Sequence, residues 1–187
     1  MRRKRTLIVT LILSVSLFAL SLTFGFLFPP RAISEILQQL GEVLQPLESA
    51  SSVLLVFFIF LNNSIKALGF MILGFFLGIP PIIFICANGF IIGTLIAVLL
   101  PEAGPTVVAA SLAPHGVIEI PLVLLAASLG ISIGWESIKK LIGRNSMVKL
   151  QFVHSLKTYL KLILPGLAVA AIVEVFITSW LISGILP

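Results

Sequence analysis

The sequence predicts an all-α fold, a polytopic membrane helix bundle of about five spans, and three observations predict it. Hydrophobic residues make up 59% of the 187 residues and charged ones only 10%, with a mean hydropathy of +1.21. A soluble domain is about a quarter charged, so this much apolar surface calls for lipid as its solvent. Second, the apolar runs are long enough to span and are separated by Pro and Gly turns. Third, the basic residues behind the net charge of +5 sit in clusters beside those runs. They form topology signals, not a soluble patch for nucleic acid. The single cysteine, Cys86, lies inside an apolar run, which excludes an internal disulfide framework and a Cys-based metal motif. No repeat and no cofactor motif is visible, and residues 1–187 read as a single integral membrane domain.

"MRRKR" opens the chain ahead of an apolar run that is too long for a signal core and lacks a small-x-small cleavage site. Leu7 to Phe28 therefore reads as a retained first span. Pro29 and Pro30 stop it. Residues 31–48 follow with Ile33, Ile36, Leu37, Leu40, Leu44 and Leu47 on one side and Glu35, Gln38, Gln39 and Glu42 on the other. That period predicts an amphipathic helix lying on the membrane surface or packed on the bundle. A second span is expected over about Val53 to Phe76. After "GIPP" a third runs from about Ile82 to Leu100, and "PEAGP" turns the chain again. Residues 106–134 are too many for one upright helix. The Pro114–Gly116 break divides them into a short arm and a long helix, as a re-entrant segment or a kinked, tilted helix. A basic interfacial segment over 135–161 and a last span from about Leu162 to Ile185 complete the chain.

Placing the N-terminus in the cytoplasm puts ten of the 12 Lys and Arg residues inside, as the positive-inside rule demands. The C-terminus is then extracellular and the expected location is the plasma membrane.

Polar residues at membrane depth mark the candidate site: Asn62, Asn63 and Lys66; Asn88 and Gly89; Pro114, His115, Gly116 and Glu119; and Glu174. A charge at the bilayer centre costs about 2.5–3.5 kcal/mol on insertion scales, so Lys66, Glu119 and Glu174 are expected to pair inside the bundle. His115 and Glu119 share a face if helix continues through Gly116. Each group also has a structural reading: cross-helix bonds for the Asn residues, counter-ions for Lys66 and Glu174. Small residues at four-residue steps, Ala126, Gly130 and Gly134 among them, predict close helix packing, within the chain or as the seam of a homodimer.

"NNSIKAL", "NGFIIGTLIA" and "PHGVIEIPLVLLAASLG" resemble the stage II sporulation protein M family, also called DUF95. The Pro-His-Gly-x-x-Glu element, at Pro114, His115, Gly116 and Glu119, is the most specific part. The resemblance implies an all-helical integral membrane protein. In spore formers the namesake is a membrane partner in an assembly that remodels septal peptidoglycan. Here the architecture is carried over and the sporulation role is not.

Three functions compete on these residues. One is a non-enzymatic scaffold binding lipid or protein partners. Another is a small dimeric transporter or ion or proton pathway built on the broken helix. The third is an intramembrane metal-dependent hydrolase. It would have His115 and Glu119 as ligands and lacks a second His in any span, which falls short of an ordinary zinc site.

Overall fold

The computed structural model describes residues 2–30 and 51–178, with the backbone alone described for residues 2, 3, 113–115 and 178. The amphipathic helix expected over 31–48 lies outside the described residues, as does the end of the last span. Every element described is helical: α1 (Arg2–Leu27), α2 (Ser52–Ile72), α3 (Ile79–Pro114), α4 (Ile120–Leu141), α5 (Val148–Thr158) and α6 (Leu164–Val173). Five stretches are each long and apolar enough to cross a membrane: Lys4–Leu27, Ser52–Phe75, Ile79–Leu112, Gly116–Leu141 and Val148–Ile177.

Local chemistry sets the ends. Ser51 caps α2, its hydroxyl accepting from the Leu54 amide at 3.4 Å. A short 3₁₀ turn, Leu73–Phe75, then leads into Leu77 and Gly78 with φ of 56° and 75°. α3 starts at Ile79, earlier than the expected Ile82, because Pro80 and Pro81 fit the first turn of a helix, where their missing N–H costs nothing. The turn expected at "PEAGP" falls at Gly104, with φ 77° and ψ 163°. Pro105 disfavours helical geometry in the residue before it, and glycine supplies the positive φ.

The break expected at Pro114–Gly116 is a π turn, His115–Glu119, so the chain stays helical there. A second π turn, Tyr159–Ile163, joins α5 to α6. Each ends two residues before a proline, Pro121 and Pro165. A proline offers no N–H to the carbonyl four residues back. Widening the turn passes that carbonyl to the next donor along, which is how a π bulge forms. A third π turn, Glu174–Thr178, ends the described chain.

The basic segment 135–161 is not a separate interfacial helix. Its first part is the end of α4, which runs on to Leu141, and its last part is α5, the start of the fifth span. The loop between is tied by Glu136, whose carboxylate accepts from the Met147 amide at 2.8 Å and pairs with Lys139, while its carbonyl accepts from the Ser146 hydroxyl at 2.7 Å. Lys157 and Lys161 therefore lie within a span and face outward, which lowers the count of bases gathered at the inner ends.

Residue pairs fix the helix directions. Gly89 meets Phe18 and Gly93 meets Leu22, so α1 and α3 run parallel. Gly74 meets Gly130 and Gly78 meets Gly134, so α2 and α4 run parallel. Thr10 bonds Ser132 at 2.9 Å, while Phe18 and Val123 share a cavity wall, so α1 opposes α4. Phe75 stacks on Phe152 and the Tyr159 hydroxyl donates to the Ser64 carbonyl at 2.9 Å, so α5 opposes α2. The five stretches thus alternate in direction. α4 is central. Leu129 and Ile133 pack with Met71, Ile163 and Leu167, and its other side packs Leu124, Ala127 and Ile131 on Phe70 and Ile85.

The small-residue face of α4 is used within the chain. Ala126, Gly130 and Gly134 are buried. A Cβ on Gly130 would stand 2.3 Å from the Phe70 carbonyl oxygen, and one on Gly134 would stand 2.1 Å from the Gly78 nitrogen. A homodimer seam along this face would have to displace α2.

Candidate functional site

Glu119 is the centre of the site. It closes the π turn ahead of α4 and is buried, 5% exposed. The Asn63 side-chain amide, from the buried face of α2, donates to its Oε2 at 2.5 Å. Asn62, exposed on the same helix, reaches the Asn63 carbonyl oxygen from its own amide at 3.5 Å. A short polar chain therefore runs from the outer face of α2 to the buried carboxylate. Such bonds are worth about 0.6–2 kcal/mol between membrane helices. The alternative, a carboxylate with no donor in an apolar core, costs more.

On the other side of Glu119 lies a cavity of about 30 Å³, lined also by Phe18, Ile85, Asn88, Ile92 and Val123. It holds about one or two waters. The Asn88 amide donates to its own helix, to the Phe84 carbonyl at 2.7 Å, while the residue lines the cavity. Gly89 beside it serves packing: a Cβ there would meet the Phe18 carbonyl oxygen at 2.6 Å. Asn63, Glu119 and Asn88 thus converge from three helices.

The remaining expected residues divide. The backbone of Pro114, His115 and Gly116 leads into the π turn that carries Glu119, and no side chain crowds Gly116. Glu174 is half-buried at the head of the last π turn, which packs on α2 and α3. Counting outward from the contact of Gly166 with Leu122, Glu174 and Pro114 each lie about two turns farther, so Glu174 stands level with the start of the motif. Lys66 is the correction. It was expected to pair with Glu119 or Glu174, and it faces outward, exposed, one turn from Asn62. The helical period decides this. Asn63, Ser64, Ala67, Phe70 and Met71 fill the buried face of α2, and Lys66 falls to one side of that stripe.

Other polar ties carry no motif: Thr10 to Ser132, Tyr159 to Ser64, and Thr94 to the Gly25 carbonyl at 3.3 Å. Their signal is a hydroxyl inside an apolar run, which marks a helix interface in lipid. Among the described residues no three His, Cys, Asp or Glu side chains gather as a metal would need.

The segments "NNSIKAL", "NGFIIGTLIA" and "PHGVIEIPLVLLAASLG" thus fall on α2, on α3 and on the π turn that leads into α4. The model of the family described as stage II sporulation protein M matches residues 14–179. The chain belongs to that family. The match takes in all three motif segments and runs from within α1 through the last described helix, so the Glu119 centre lies wholly inside the matched region. No curated protein and no solved structure matches the chain.

Proposed function

We propose that this family member is a non-enzymatic membrane scaffold or complex subunit, with the Asn63–Glu119 centre fixing the register of its helices. The observation that carries this reading is the size of the space beside Glu119. About 30 Å³ has room for one or two waters and not for an organic solute, and the carboxylate is already engaged by Asn63. A site for a transported molecule or a hydrolysed bond needs room for a reacting group, of the order of 300 Å³ or more. Family membership supports a membrane role without naming a reaction. A cytoplasmic N-terminus in a plasma-membrane protein belongs to this reading, and its support is Lys4, Arg5, Lys139, Lys140 and Arg144, which cluster where α1 begins and α4 ends.

The second reading is a proton or water pathway. Its support is the polar chain from Asn62 through Asn63 to Glu119 and the water-sized cavity beyond. Proteoliposomes separate the two. A scaffold gives no proton flux above protein-free vesicles under an imposed pH gradient. A pathway gives flux that Glu119→Gln abolishes while the protein stays folded.

A further inference from the structure

Lys66 lies within α2, about 21 Å along the helix from Ser52 and about 14 Å from Phe75. Its four-carbon stem is shorter than either distance, so snorkelling does not bring the ammonium to an end of the span. Yet it is exposed, with Asn62 and Ile65 beside it on the same face. One turn farther, Gly69 has open space where a Cβ would be. The face therefore presents a cation, an amide and a hollow well inside an apolar stretch long enough to cross a membrane. Lipid alone makes that placement costly.

We infer that this face of α2 docks a membrane-spanning helix of another protein, one that carries a carboxylate at mid-depth. The proposal rests on the scaffold reading and names the surface and the chemistry of its partner. Charge complementarity selects the occupant. At mid-depth the outward-facing charges of the described spans are Lys66, Lys157 and Lys161, all cationic; the exposed carboxylate of α3, Glu102, sits beside the Gly104 turn, level with the end of α1. The carboxylates at depth are turned inward, Glu119 buried and Glu174 half-buried. A second copy meeting this face through its own α2 would set Lys66 against Lys66. A foreign carboxylate would satisfy the ammonium, and Asn62 would supply a second donor beside it. Gly69 would let the two backbones approach.

The test uses the full-length protein in liposomes with a fluorescent polyleucine spanning peptide bearing one central Glu, and a matched peptide bearing Gln. Association is read by energy transfer. The Glu peptide is expected to bind about tenfold more tightly than the Gln peptide. The preference should vanish in Lys66→Met, survive in Lys66→Arg, and survive in Lys157→Met and Lys161→Met. Circular dichroism of each variant checks that it is folded. Equal binding of the two peptides, or a preference that outlives Lys66→Met, overturns the proposal. So does a photocrosslinker at Asn62 that, in the native membrane, captures lipid alone or a second copy of the chain. Native complexes that persist in Lys66→Met overturn this face and leave the scaffold reading standing. A wild-type chain that is solitary in the native membrane overturns the scaffold reading and the docking face together.

Discussion

Asn63 and Lys66 lie within one turn of α2 and meet opposite surroundings. The amide points into the bundle and donates to Glu119; the ammonium points out. This predicts opposite responses to substitution. Asn63→Leu removes one donor from a buried carboxylate, so it should destabilise by about 1–3 kcal/mol. The loss should shrink when Glu119→Leu is also present, because the carboxylate that lost the donor is then gone. Unfolding in mixed detergent measures both. Lys66→Met, made in the isolated chain, should change stability by no more than about 0.5 kcal/mol, as at other surface positions. A large loss would mean that Lys66 has a partner within the chain.

Between helices, approach distance is the controlling quantity. At Gly25, Gly74, Gly93, Gly130 and Gly134 an added Cβ would fall 1.9–2.3 Å from facing backbone, so no side-chain rotation can make room. Gly93→Val should separate α1 from α3, and Gly130→Val should separate α2 from α4, each by overpacking that costs about 1–3 kcal/mol or more. Gly69→Ala, in open space, should be neutral or slightly stabilising. Gly104→Ala has space too but must hold φ 77° and ψ 163°, a region essentially reserved for glycine, so a cost of about 1–3 kcal/mol is expected. Thermal stability of the four variants in one detergent should set Gly69→Ala apart, well above the other three. The two π turns belong to this scale as well. Pro121 and Pro165 were visible in the sequence, and the widened turns ahead of them place Glu119 and Tyr159 on the inward face.

For the whole molecule, alternation of five stretches sets the two ends of the described chain on opposite sides. With the basic ends of α1 and α4 inside, an impermeant thiol reagent on intact cells should label a cysteine placed at Ser51 and spare one placed at Lys140. Both would be introduced after Cys86→Ala. Labelling at Lys140 and not at Ser51 would invert the orientation. The number of spans and their order were legible because apolar runs of sufficient length and Pro–Gly turns are local signals. The start of the fifth span was not. Lys149, Lys157 and Lys161 lower the local hydropathy, and the Phe75–Phe152 and Ser64–Tyr159 contacts that hold α5 in the bundle come from residues far apart in the chain.

The sequence by itself determined that lipid is the solvent and that the fold is a helix bundle of this family; it named Asn63, Asn88 and Glu119 as candidates alongside Lys66 and Glu174, without showing which of them meet. Composition and short motifs carry that information, because the cost of exposing polar groups to lipid is fixed residue by residue. Only the tertiary structure decided which way each polar group faces. A rotation of 100° per residue separates a buried amide from an exposed ammonium on one helix. Which stripe turns inward is set by the neighbours that α4 brings to it.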